Sequence, residues 1–368
     1  MWRGTQYKAI VRDPSSSDVL TNTAHWRSMS YERRVNAPGT SQILVHADDD
    51  LAGDLDTDVL LDIWRKYKGG SWYRDFTCLH RGLERETMET GLRLVTGYQR
   101  GLLDLLARRI IIGFAGTAYT QKSGDAETVL KAFVTDQCLT GEPIARPITG
   151  LSIEADGAGG NTIAPEVAWR GLLETLQEFA GDVGGGDFDL ELDADDAITF
   201  TFNWYDAQRG TDRTWGNGVV APVIFSTKRG NVRNMMYKKS RLGEITSVIV
   251  GGQGDGASRS MATRDNVAAI ADSPWNRIES FLNMSNLADA SALEDAGDAE
   301  LEKGQYIETL SCDVLLSGNT VYGRDFDLGD LVTIEDEGFQ VNKKIVCVQV
   351  LVNESGEKVT LEMTDVAV

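Results

Sequence analysis

Apolar and polar residues alternate at both ends of this chain and give way to helical spacing in its middle, and this change of period restricts the fold more than any motif. A strand shows one face every second residue and a helix about every 3.6, so the two patterns are not interchangeable. Strands are predicted at Tyr7–Arg12 and Val19–Thr23, around the turn Asp13-Pro14-Ser15-Ser16-Ser17-Asp18. A second hairpin is expected from Ser30–Val35 and Thr40–His46, with Pro38 presetting the turn and Gly39 supplying positive φ. Further strands are expected at Leu60–Tyr67, Trp72–Arg81 and Leu92–Gln99. Short hairpins with regular turns point to a barrel or sandwich.

The middle reads differently. Leu102, Leu105 and Leu106 have helical spacing, and Val129, Leu130, Phe133 and Val134 share one face of Ala126–Asp136. Trp169, Leu172, Leu173, Leu176 and Phe179 predict a helix over Ala168–Ala180, which Gly181 and glycines 184–186 stop. Strands Phe188–Leu192 and Ile198–Trp204, with an Asp-rich turn between them, complete a small α/β segment. Strand patterning returns at Val219–Ser226 and Glu244–Val250, then lapses over Gly251–Gly304 apart from a helix near Ala288–Lys303. It resumes from Tyr306. Val341–Val352 leads into the turn Asn353-Glu354-Ser355-Gly356, and Val359, Leu361 and Met363 form the inward face of the last strand.

At 368 residues the chain is long enough for two or three domains. The most apolar stretch, Leu102–Phe114, is interrupted by Asp104, Arg108 and Arg109, so no membrane span is expected. The cysteines, Cys78, Cys138, Cys312 and Cys347, are widely spaced and read as buried apolar positions, as expected of a protein made in a reducing cytoplasm. Fifty-six acidic against 36 basic residues give a formal charge of −20, the opposite of a nucleic-acid-binding footprint. Such a surface serves solubility, or a wall past which DNA moves without sticking.

Searches for chemistry return decoys. Nucleophile elbow, zincin and Walker patterns are absent, and His25, His46 and His80 have no partner at ligand spacing. Gly252-Gln253-Gly254-Asp255-Gly256-Ala257 imitates a dinucleotide fingerprint, but the polar stretch Ser258–Asn266 cannot supply the amphipathic helix that must follow. The acidic run Asp48-Asp49-Asp50 and Asp54-Leu55-Asp56-Thr57-Asp58 fails the calcium-loop pattern, because Val59 stands where glycine is needed. Trp64, Trp72, Tyr73, Trp204, Tyr205 and Trp215 suit core and subunit contacts, or a sugar platform. No catalytic residue, cofactor or metal is expected.

Six segments in order resemble the tail-hub family of long-tailed bacteriophages, the siphovirus tail-tip proteins related to contractile-phage baseplate hubs. They are Tyr31–Gly39 leading into Ser41–Val45, Val95–Gln99 with Leu102–Ile111, Arg170–Ala180, Val223–Ser226 with Gly230-Asn231, Gly252–Gly256 with Arg259, and Leu328–Ile334. The resemblance implies a mostly β, α+β fold: two tail-tube-like β-barrel domains, an inserted α/β domain and a second small insertion. On that basis residues 1–113 form the first barrel and 114–216 the α/β domain. Residues 217–255 with 305–368 form the second barrel, and 256–304 its insertion.

A non-enzymatic homotrimer at the virion tail tip is implied, joining a sixfold tube to a threefold tip and gating genome ejection. Implied partners are a distal tail or tail-tube protein, the tape-measure protein and downstream tail-tip or receptor-binding proteins, with DNA passing unbound. The last expected strand ends at Asp365, which reads as a pure adaptor. Asp48, Asp49, Asp54, Asp56 and Asp58 are the candidate lumen acids. The alternative is a carbohydrate-active envelope protein of the tail, a peptidoglycan hydrolase or glycan-binding adhesin.

Overall fold

The computed structural model describes residues 4–113, 119–140, 144–193, 198–285, 287–315, 320–336 and 338–365. The fold is mostly β, with 46% strand and 16% helix. Two compact units form: Met1–Met235 with Ser311–Val368, and Met236–Leu310.

The large unit opens with β1 (Thr5–Arg12), β2 (Val19–Thr23), β3 (Ser28–Arg34), β4 (Ala37–His46), β5 (Leu60–Tyr67), β6 (Tyr73–Thr87) and β7 (Arg93–Gly101). Alternation sets their register: in β4, Gly39, Ser41, Ile43 and Val45 turn inward while Thr40 and Gln42 face out. The first hairpin turns as predicted, with Asp13 Oδ1 accepting the amides of Ser15 and Ser16 at 2.8 Å each.

The second hairpin is tighter than expected. Pro38 and Gly39 belong to β4, and Asn36 takes the positive φ of 56°. Asparagine tolerates that conformation, and its side chain accepts the Phe188 amide at 2.7 Å. Gly39 is needed for a different reason: a Cβ there would stand 1.9 Å from the Glu32 carbonyl oxygen, beside a bulge between Glu32 and Arg34.

The middle of the chain supplies α1 (Ala126–Thr135), β8 (Leu151–Ile153), α2 (Leu172–Glu178), β9 (Gly186–Leu192) and β10 (Phe200–Asp206). β10 lies between β9, antiparallel, and β8, parallel. Leu130, Phe133, Leu172, Leu176, Phe188 and Phe202 bury their side chains together with Leu60, Leu79, Leu102 and Leu106, so this layer shares a core with the first strands. The helical spacing over Gly101–Arg109 yields one turn, Asp104–Ala107. The α2 helix is shorter than its periodicity suggests. Arg170 and Gly171 instead pair with Ile111 and Ile110, and Trp169 sits at φ 58°, 72% exposed. Most of the Asp-rich turn before β10, residues 194–197, lies outside the described residues.

The chain continues through β11 (Ile224–Phe225) and β12 (Val232–Ser240). The small unit holds β13 (Ser247–Gly251), β14 (Met261–Asp265), β15 (Glu279–Asn283) and α3 (Ala290–Lys303). The end of the chain forms β16 (Ile307–Val314), β17 (Leu331–Asp336), β18 (Phe339–Asn353) and β19 (Gly356–Asp365). Of the strand expected over Val219–Ser226 only β11 forms, as a parallel partner of β17. β12, β14 and β15 were not legible in the sequence: their burial is mostly polar or exposed, so their patterns lack an apolar stripe.

The main sheet has 13 strands in the order β12-β16-β19-β18-β3-β4-β7-β6-β5-β1-β2, with β17 attached to β18 and β11 to β17. This order is open among the described residues, and no closed barrel is present there. In the small unit β13 pairs with β14 antiparallel and β15 parallel. Its core is slight, built on Val248, Val250, Leu287 and Leu293.

Candidate functional site

Two features of the large unit stand out: a buried ionic seam and the free edges of its sheet. The seam begins at Arg65, whose side chain is fully buried. Its Nη2 donates to Glu357 Oε1 at 2.7 Å, its Nε to the Tyr7 hydroxyl at 2.9 Å, and its Nη1 to the Tyr73 hydroxyl at 2.9 Å and to the Tyr322 carbonyl. Tyr322 carries the connection onward. Its hydroxyl donates to Asp75 Oδ1 at 2.8 Å and accepts from Arg33 Nη1 at 2.6 Å, and that nitrogen also reaches Asp75 at 2.9 Å and Asp327 at 2.8 Å. Tyr31 donates to Asp75 from the other side.

Burial pushes the Tyr7, Tyr31 and Tyr322 phenols well above their ordinary range, so they stay protonated and act as donors. Burial disfavours the Arg65 charge, yet the oxygens of Tyr7 and Glu357 outweigh it and hold the guanidinium more firmly protonated than usual. Each charge is paired, and the arrangement ties β1, β3, β5 and β6 to the last fifty residues. It is a structural lock. Sequence reasoning missed it, although Asp62 and Arg65 within Leu60-Leu61-Asp62-Ile63-Trp64-Arg65 were a signal: charges inside an apolar run must find partners.

The candidate lumen acids follow one another along the loop between β4 and β5. Asp48 pairs with Arg93, and Asp58 with Arg81 at 2.8 Å and Arg108 at 3.0 Å. Asp49 caps the short helix Asp50–Asp54 by accepting the Leu51 amide at 3.0 Å. Asp54 accepts from Thr21, and Asp56 from the Thr57 amide. Asp48 and Asp56 are exposed and the other three half-buried. Among the described residues no group of three or more His, Cys, Asp or Glu could hold a metal ion.

The other sequence candidates are dispersed. His80 is buried against Gln99, and burial lowers its pKa. All four cysteines are buried and free, and burial raises the thiols of Cys138, Cys312 and Cys347 to about 12. The glycine-rich loop turns β13 back into β14. Gly254 takes φ 105°, and a single 3-10 turn, Gly256–Ser258, and then a strand follow where the fingerprint needs an amphipathic helix. Of the aromatic set, Trp204 is core, Tyr73 serves the seam and Trp215 is exposed, so no single platform gathers them.

The strand edges offer the surfaces for assembly. β6 pairs with β5 only from Tyr73 to Leu79, and with β7 from Cys78 to Thr87. Its far half, Gly82–Thr87, therefore has one edge without a strand among the described residues, and carries exposed Glu84 and Glu86. At the sheet's end the part of β12 that belongs to the large unit carries exposed Arg233.

A family model, described as siphovirus ReqiPepy6 Gp37-like protein, matches residues 11–364. The chain belongs to the siphovirus ReqiPepy6 Gp37-like family. Its fold is similar to that of a tail protein from Neisseria meningitidis MC58, at TM-score 0.56 and 14% identity over 98% of this chain and 97% of that one. It is also similar to the 43 kDa tail protein of prophage MuSo2 from Shewanella oneidensis, at TM-score 0.55 and 12% identity over 97% and 98%. The prophage tail protein gp18 from Listeria monocytogenes EGD-e follows at TM-score 0.52 and 12% identity over 96% and 94%. Identities this low speak to fold alone. No curated protein matches the sequence. Among the described residues no helix is long and apolar enough to cross a membrane.

Proposed function

We propose that this chain is the tail-tip hub of its virion, a homotrimer that joins a sixfold tail tube to a threefold central tip and takes part in gating DNA ejection. The observation that carries the reading is the pairing of β3 with β18. Through it the order β6-β7-β4-β3 continues into β18-β19-β16-β12, so one chain sets two four-stranded segments edge to edge. Each segment then belongs to a tail-tube-like barrel domain, residues 1–113 and residues 217–255 with 305–368. The α/β domain 114–216 and the insertion 256–304 complete the chain. Two such domains in each of three copies provide six equivalent positions.

Head-to-tail contacts close a ring only when two different surfaces of each copy fit each other. The far half of β6 and the outer edge of β12 meet that need in geometry, as strand edges unpaired among the described residues, and in charge, as Glu84 and Glu86 against Arg233. Asp48, Asp49, Asp54, Asp56 and Asp58 are assigned to the lumen wall, where their charge repels passing DNA. Partners are the distal tail or tail-tube protein, the tape-measure protein and downstream tip or receptor-binding proteins. The mechanism is assembly and release, without covalent chemistry.

Gold-labelled antibody on intact virions tests the placement, and light scattering of the purified chain tests the stoichiometry. Label at the distal end of the tail and three times the chain mass are expected. Label along the shaft, or virions lacking the chain, overturns the hub.

A further inference from the structure

A groove of about 800 Å³ opens along the first residues of β1, lined by Thr5, Gln6, Tyr7 and Lys8 with Trp26, Trp72 and the turn after β18. Its floor is a strand edge. β5 covers one side of β1 from Thr5 to Arg12, but β2 covers the other only from Ala9 to Arg12. Beyond Thr23 the chain leaves the sheet, because the Thr23 hydroxyl accepts the His25 amide at 3.0 Å and turns the backbone away. Thr5–Lys8 thus keeps an outer edge that no strand pairs among the described residues, roughly 13 Å long at the rise of a β-strand.

We propose that this groove binds an extended segment of another tail polypeptide, which adds as a strand beside Thr5–Lys8 in line with β2. Backbone amides and carbonyls along a strand edge are matched in spacing by another extended backbone. Strand edges meant to stay free are guarded by charge, often lysine. Here the one lysine of the edge, Lys8, has its ammonium already engaged: it lies 4.8 Å from the Trp64 ring and 5.3 Å from the Trp72 ring. Trp26 borders the groove and offers apolar contact to side chains of the incoming strand. Tryptophans beside Gln6, Asn22 and Asn353 also suit a sugar. The cations Lys8 and Lys66, however, already stack on Trp72, which takes up the ring surface a sugar needs.

The inference requires the chain to sit in a tail and is independent of ring number, so it stands or falls apart from the trimer. Amide hydrogen exchange of Thr5–Lys8 is compared between the purified chain and purified tails. At least tenfold slower exchange in tails is expected, with Ala9–Arg12 unchanged. A photo-crosslinker replacing Gln6 should then join a different tail polypeptide, identified by mass spectrometry. A peptide array covering the phage's own tail proteins, probed with the whole chain, should yield one binding segment. Its affinity should fall at least tenfold in Trp26→Ala and stay unchanged in Trp275→Ala. Equal exchange in chain and tails overturns the proposal, as does a crosslink only to a second copy of this chain. Binding of oligosaccharides from a cell-wall glycan array in place of any peptide also overturns it.

Discussion

The two units of the chain use arginine in opposite ways. In the large unit the side chains of Arg65 and Arg33 are largely buried and reach across nearly the whole sequence, to Glu357 and Asp327. In the small unit Arg264 and Arg277 lie half-exposed and pair with near neighbours, Asp298 at 2.7 Å and Asp265 at 3.1 Å. A buried charge is costly unless paired, so each arginine of the seam permits only the strand arrangement that brings its partners to it. Surface pairs impose no such condition. The large unit is therefore specified by polar matching as well as by a broad apolar core. The small unit rests on four buried apolar side chains, one of them, Leu293, supplied by α3.

The contrast is broken most sharply at Arg65. Replacement by alanine leaves Glu357 buried without its cation and should cost about 3–5 kcal/mol in urea unfolding of the large unit. Arg65→Met with Glu357→Met together should cost less than Arg65→Ala alone; equal or greater loss denies that the pairing of charges matters. In the small unit Leu293→Ala should cost about 2–3 kcal/mol, at the low end for a buried leucine because so thin a core collapses readily. Amide exchange should then rise across β13 while the main sheet keeps its protection.

Acid should act more gently. Burial tends to raise the Glu127 pKa, but Lys131 Nζ and the Gly157 and Gly159 amides hold the carboxylate below its ordinary range. A group depressed on folding stabilises above its unfolded pKa, and that contribution fades as pH falls through the folded value. Stability measured from pH 6 to pH 3 should decline, and Glu127→Gln should flatten the decline below about pH 4.5. The smallest effect belongs to Arg264→Ala, within about 1 kcal/mol, since its pairs with Asp298 and Glu294 are solvent-exposed.

Much of the fold was legible because alternation is a local property. β1, β2, β5 and β19 were expected close to where they stand, and so was α3. Elements whose partners are distant were harder to see. β12 reads as polar because it lies at an edge, and β14 and β15 because each has a face without cover. Trp169 fits a helical stripe by spacing, but Arg170 and Gly171 are captured by Ile111 and Ile110, some sixty residues earlier. The partners in the ionic seam were hidden for the same reason: Arg65 and Glu357 are 292 positions apart. The candidate acids were easy to find by charge, yet their capping and pairing depend on Thr21, Arg81, Arg93 and Arg108.

The proposed hub is tested most directly by imaging isolated tail tips at a resolution that separates strands. The prediction is three copies of this chain in one ring, each with the Gly82–Thr87 edge alongside the neighbour's Val232–Ser240 strand. Six copies in the ring, or three whose Gly82–Thr87 edges face solvent, would contradict it.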